Sequence, residues 1–192
     1  MKTNQSHRIL FIAGKDEVCF EAAEFLQKNF SKVDTIFWVK GEQKPGLPDN
    51  WTGEWIFSFK SDFILPGKLI RSASKGAVNF HPAPPYYRGT GGYVYAIYNH
   101  DKTFAVTCHY MSEQLDSGEI IKVDKFDIIT GETVSSLRQK AGIKAFAQFR
   151  EIISLILSNQ KLPQSPEKWG DKLYTQKEFE KFLRDKDDSL LS

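Results

Sequence analysis

The sequence predicts an α/β fold built on a mostly parallel sheet. Two observations carry this expectation. Short runs of apolar, β-branched and aromatic residues recur at 9–13, 33–39, 55–59 and 76–80, the pattern of strands buried on both faces. Between them lie helical stretches and segments rich in Gly and Pro, an alternation that produces a sheet flanked by helices.

In chain order, Ile9 to Ala13 ends in Gly14 and reads as a buried strand. Asp16 to Phe30 reads as a helix with Val18, Ala22, Phe25 and Leu26 on one face and Asp16 capping its start. Val33 to Val39 is a second strand, 40–52 a loop broken by Gly41, Pro45, Gly46 and Pro48, and Trp55 to Phe59 a third strand. Pro66 to Ala73 is expected as a short helix with Pro66 as its first helical residue. Gly76 to Phe80 is a fourth strand, stopped by Pro82. Tyr93 to Tyr98 reads as helical, with Tyr93, Tyr95 and Tyr98 as packing residues. Thr103 to Tyr110 and Glu119 to Phe126 read as strands around a loop of seven or eight residues. From Thr130 a long helix runs to about Leu157, its buried stripe marked by Val134, Leu137, Ala141, Ala145, Phe149, Ile152 and Ile156. Residues 1–160 are expected to form one catalytic domain and 161–192 a tail that packs on it or on a partner subunit.

Composition narrows the function classes. The 192 residues carry 41% hydrophobic and 26% charged residues at a net charge of +2, an ordinary globular balance. Lys and Arg are scattered rather than gathered into a stripe, which argues against a nucleic-acid partner. No apolar run approaches the ~20 residues of a membrane helix, and no leader peptide is evident. Cys19 and Cys108 lack metal-ligand spacing and read as two buried thiols. The expectation is a soluble, cytoplasmic protein without a metal.

The chemistry concentrates in two stretches. In Asn79-Phe80-His81-Pro82-Ala83-Pro84-Pro85-Tyr86-Tyr87-Arg88-Gly89, Asn79 and His81 lie two apart at a strand end and so share a face. Ligands of open α/β sheets bind beyond the carboxyl ends of such strands. The prolines stiffen the loop that follows. The second stretch, Val106-Thr107-Cys108-His109-Tyr110-Met111 and then Leu115-Asp116-Ser117-Gly118, adds a strand His and a loop Asp. A carboxylate near an imidazole keeps it oriented and charged, and an amide beside an imidazolium stabilises an oxyanion.

The sequence of motifs Asn-x-His-Pro, Tyr-Arg-Gly, Val-Thr-x-His and Asp-x-Gly resembles the folate-dependent formyltransferase family over about Arg8 to Phe149. The resemblance implies a Rossmann-like sheet, shortened here and followed by the long helix and tail. It implies Asn79, His81 and Asp116 as catalytic residues and 10-formyltetrahydrofolate as co-substrate. It places the pterin against the backbone of Glu113, Gln114 and Leu115, with Phe59, Ile64 and Leu65 walling the same pocket; simple core packing is the competing reading of these last three. Arg88 and Tyr86 are candidates for acceptor binding, with a structural hydrogen bond as the alternative for Arg88. His109 is a candidate partner of Asp116, with a satisfied core His as the alternative.

Departures from the family pattern bear on the acceptor. Ala83-Pro84-Pro85 after His81-Pro82 resembles the amino-sugar branch. Where the glycinamide ribonucleotide enzyme carries a Gly-Ser-Asn phosphate loop, this chain has Gly14-Lys15-Asp16-Glu17, whose carboxylates repel phosphate. The RNA-contacting domain of the methionyl-tRNA enzyme and the regulatory domain of the hydrolase have no expected counterpart. The segment before Asn79 is short, as if one strand-helix unit were lost. The expected acceptor is therefore a small amine, first a dTDP-linked amino-deoxy sugar. Alternatives are an N-hydroxylated amino acid, glycinamide ribonucleotide, water in a hydrolase, or a binding module without turnover. By resemblance a homodimer is expected.

Overall fold

A computed structural model describes residues 8–48 and 50–186; the polar N-terminal segment and the charged end of the tail lie outside the described residues. The elements in order are β1 (Arg8–Ala13), α1 (Glu17–Asn29), β2 (Lys32–Phe37), β3 (Gly53–Phe59), α2 (Gly67–Ile70), β4 (Ala73–His81), β5 (Arg88–Gly89), α3 (Gly92–Tyr98), β6 (Thr103–Tyr110), β7 (Ile120–Asp127), α4 (Val134–Leu157), β8 (Leu173–Tyr174) and α5 (Gln176–Asp185). Six strands form one sheet in the order β2-β1-β3-β4-β6-β7. The first four run parallel, while β6 joins β4 antiparallel and β7 follows antiparallel to β6.

Alternation along the strands divides the core between the two faces. Ile9, Phe11, Phe57, Phe59, Val78 and Phe80 face α1 and α4. Phe149 on α4 is the hub of that side, its ring 4.8 Å from Phe80, 5.3 Å from Phe59, 5.9 Å from Phe11 and 6.3 Å from Phe57. Leu10, Ile12, Ile56 and Ala77 face the other way, under Trp51, Leu65 and Leu69. No helix occurs among the described residues of the β2–β3 crossover. Trp51 fills the space instead and donates from Nε1 to Asp34 at 2.9 Å.

Several boundaries differ from the sequence reading. Pro66 is the cap before α2, in extended conformation, and Ala73 already belongs to β4, so the short helix is four residues long. The long helix begins at Val134, because Thr133 accepts from the Ser136 amide and Ser136 closes a capping box, the signal that sets a helix start. Thr130 and Gly131 form the turn before it. The tail from Lys161 packs back on the domain: β8 pairs parallel with β5, and Tyr95 of α3 meets Tyr174, Phe179 and Phe182.

Candidate active site

Strand register builds the site. Ser58 pairs with Asn79 across β3–β4, and Asn79 pairs with His109 across β4–β6. Directly opposed residues share a face, so these three polar side chains form a row on the side opposite Phe59 and Phe80, at the carboxyl ends of β3 and β4. The row floors a cleft walled by Phe63, Ile64, Leu65, Ile70 and Met111 and closed by the 112–116 loop. Glu113, Gln114 and Leu115 line it as the sequence places them. Phe59 does not: it is fully buried against Phe80 and Phe149, because a strand reverses side with each residue and Ser58 takes the cleft side.

The acid–base groups meet beside this floor. The Asp116 carboxylate is 3.5 Å from His81 Nδ1 and 3.4 Å from His109 Nε2, and it accepts from the Gly89 amide at 2.8 Å. All three side chains are buried, Asp116 at 4% exposure, His81 at 7% and His109 at 2%. Asn79, His109 and Asp116 line the cleft, while His81 meets it through Asp116. Carbonyl oxygens only accept, which assigns the imidazole protons. His81 Nε2 donates to Tyr87 O at 3.0 Å, and His109 Nδ1 donates to Tyr110 O at 2.8 Å. Asn79 then donates from Nδ2 to His109 Nε2 at 3.1 Å.

Burial alone would raise the Asp116 pKa. The facing charge of His81 and the Gly89 amide outweigh it and hold the carboxyl well below the usual carboxylate range. The His109 contact at 3.4 Å is long, and His109 Nε2 is already the acceptor for Asn79. The His81 charge and the 2.8 Å amide bond are therefore the firmer causes.

The backbone at Asp116 is left-handed, with φ 44°, a conformation costly for a residue with a Cβ. Strand β5 secures it from both ends. Gly89 grips the side chain, while Arg88 donates from Nε to the Asp116 carbonyl at 2.7 Å and from its other nitrogens to Leu115 O at 3.2 Å and Gly170 O at 3.1 Å. Gly89 itself has φ 87°, and a Cβ there would lie 2.4 Å from Tyr174 O, so only glycine fits between Asp116 and β8. Arg88, a candidate for meeting the acceptor, is thus committed to three carbonyl oxygens. Tyr86 is outside the cleft, half-exposed, with its hydroxyl donating to Thr103 O at 3.4 Å.

Besides the cleft walls Phe63, Ile70 and Met111, Ser58 and Trp169 escaped the sequence reading. Ser58 is revealed only by strand register. Trp169, from the tail, places its indole 4.8 Å from the His109 ring and 6.2 Å from the His81 ring and donates from Nε1 to Gly118 O at 2.6 Å. Among the described residues no group of His, Cys, Asp and Glu is arranged to hold a metal ion, and no helix is long and apolar enough to cross a membrane.

Residues 60–149 match the family model described as formyl transferase. The GDP-perosamine N-formyltransferase of Brucella melitensis is 30% identical over 105 residues, covering 54% of this chain and 40% of the relative. The chain thus spans well under half the length of that relative. The solved N-formyltransferase from Helicobacter canadensis, in complex with folinic acid and dTDP-3-aminofucose, superposes with a TM-score of 0.71 at 21% identity, covering 88% of this chain and 71% of that one. The formyltransferase from Anoxybacillus kamchatkensis, in complex with UDP-4,6-dideoxy-4-formamido-L-AltNAc and tetrahydrofolate, gives 0.68 at 19% identity, covering 95% and 93%. At these identities the two structures establish the shared fold. The segment 60–149 is thus similar to the formyl transferases, and it carries Asn79, His81, His109 and Asp116 together.

Proposed function

We propose that the protein transfers the formyl group of 10-formyltetrahydrofolate to the primary amine of a nucleotide-linked amino sugar, with a dTDP-linked amino-deoxy sugar as the first candidate. The observation that carries this reading is the Asp116 carboxylate set between His81 Nδ1 and His109 Nε2, with the Asn79 amide beside it at the floor of an apolar-walled cleft. The relatives that support a sugar acceptor are described with GDP-, dTDP- and UDP-linked sugars, so the assay below spans all three nucleotides.

The cleft suits a flat heteroaromatic ring: Phe63, Ile64, Leu65 and Met111 supply apolar walls, and Ser58, Glu113 and Gln114 supply polar groups. When bound, the folate supplies an electrophilic formyl carbon. Asn79 keeps one amide N–H on His109 Nε2 and has a second to donate to the formyl oxygen as negative charge grows there. With both imidazoles neutral, His81 Nδ1 and His109 Nε2 would each turn a lone pair toward Asp116. A proton on His81 Nδ1 removes that repulsion, and His109 Nε2 remains the acceptor for Asn79. His81, with both ring nitrogens engaged by Tyr87 O and Asp116, then supports the oxyanion through its positive charge and holds Asp116 in place. Asp116 is a weak base for a free amine, but the amine nitrogen becomes strongly acidic as it bonds to carbon. At that moment Asp116 accepts its proton, which returns to the departing folate nitrogen.

Two free, buried thiols suit a reducing compartment, so we place the reaction in the cytoplasm, in a homodimer whose existence light scattering tests. The test of function is incubation with 10-formyltetrahydrofolate and a panel of dTDP-, GDP- and UDP-linked amino sugars, glycinamide ribonucleotide and N-hydroxyornithine. Tetrahydrofolate release that requires one amine, with that amine gaining a formyl group, is the expected result. Release of formate without an amine would make the protein a hydrolase.

A further inference from the structure

Trp169 lies outside the segment matched by the family model, yet its ring stands perpendicular to His109, at 88° and 4.8 Å, and 6.2 Å from His81. It is the middle of a strap fixed at several points. Trp169 Nε1 donates to Gly118 O at 2.6 Å, Gly170 N donates to Pro85 O at 3.1 Å, Arg88 donates to Gly170 O at 3.1 Å, and Ser165 N donates to Ile120 O at 2.9 Å. Gly118 has to be glycine, since a Cβ there would lie 1.8 Å from Tyr110 O. Trp169 itself is only partly buried, while the imidazoles and carboxylate beneath it are at 2–7% exposure. Its indole therefore stands between solvent and the charged centre, away from the cleft.

We propose that Trp169 is a positioning residue that keeps water off the His81–His109–Asp116 centre from the tail side, and so favours an amine over water as the acceptor. The inference rests on the formyl-transfer reading. In transfer, the amine nitrogen bonds to the formyl carbon, the bond from that carbon to folate N10 breaks, and the amine proton ends on N10. In the competing reaction, water oxygen bonds to the same carbon, the same bond breaks, N10 takes a proton, and formate leaves. The same centre serves both, so the outcome depends on which nucleophile reaches it. A charged group with water excluded also interacts more strongly with its neighbours.

The experiment compares wild type with Trp169→Ala and Trp169→Phe, following formate release without amine and formyl-amine formation with it. Trp169→Ala is expected to raise the ratio of formate to formyl-amine about tenfold or more, with transfer kcat falling and the amine KM little changed. Trp169→Phe keeps a ring but loses the Nε1 bond to Gly118, and falls between the two. If the alanine variant does not fold, Trp169→Phe alone decides by the same ratio. An unchanged ratio in a folded variant overturns the inference, as does a rise in amine KM with no formate, which would make Trp169 a surface for the acceptor instead. Absence of folate turnover in the wild type counts against the formyl-transfer reading itself, and the inference falls with it.

Discussion

Arg88 holds the backbone of Asp116, donating from Nε to its carbonyl oxygen at 2.7 Å, while the next residue, Gly89, holds the carboxylate. One two-residue strand thus sets both the left-handed backbone and the side-chain direction of the central acid. Arg88→Lys replaces a planar fork with a single ammonium and cannot reach all three carbonyls. The expected result is a fall in kcat of roughly tenfold to a hundredfold from misplacement of Asp116. The folate KM should stay nearly constant and stability should drop by about 1 to 3 kcal/mol. Steady-state kinetics with thermal melts check this; full activity in the lysine variant would remove the positioning role.

Ile64 and Phe59 separate folate contact from core packing. Ile64 is 72% exposed at the cleft, while Phe59 is fully buried. Ile64→Ala should raise the folate KM severalfold with little change in melting temperature. Phe59→Ala should cost about 3–5 kcal/mol of stability and leave the KM of the remaining folded protein near wild type. The opposite pattern in a kinetic and melting comparison would reverse the assignment.

The depressed pKa of Asp116 fixes the sign of a pH effect. Its folded pKa lies below the ordinary 3.8, so the carboxylate adds stability that is fully present above that value and is lost as pH falls through the acid range. Asp116→Asn lacks this contribution. The melting-temperature gap between wild type and variant should be widest near neutral pH and narrow as the pH falls from about 5 towards 2. A gap that widens on acidification would contradict the charge arrangement.

Burial, then the hydrogen bond with Asp16, pushes the Cys19 thiol up to about 12, and burial pushes Cys108 well above its ordinary value. Thiolates are the reactive form, so neither cysteine should react with a thiol reagent at about pH 8 until the protein unfolds. Intact-mass measurement after brief exposure checks this, and rapid labelling of the native protein would contradict it.

The sequence carried the architecture because each strand is a compact apolar run and α4 repeats its buried stripe from Val134 to Ile152. Asn79, His81 and Asp116 were picked out by their motifs; the structure sets His81 Nδ1 3.5 Å from Asp116 and places Asn79 and Asp116 in the cleft lining. Phe59 was misplaced because the side a strand residue faces depends on register. Ser58, next to it, was invisible for the same reason: its role depends on pairing with Asn79. Trp169 reaches His109 from 60 residues away in the chain, a contact that no local pattern encodes. Whether the tail packs on the domain or on a partner was left open, because its hydrogen bonds run to distant backbone, such as Gly118 O and Pro85 O, rather than to neighbours in sequence.

The central claim is that Asn79, turned by His109 towards the cleft floor, stabilises charge on a formyl oxygen during transfer from folate to an amine. The direct test is the rate of amine-dependent tetrahydrofolate release by Asn79→Ala, measured with its folate affinity and melting temperature. The account predicts a loss of about a hundred- to thousand-fold in rate, with folate affinity and fold retained. Near-full turnover in a folded Asn79→Ala protein would contradict it.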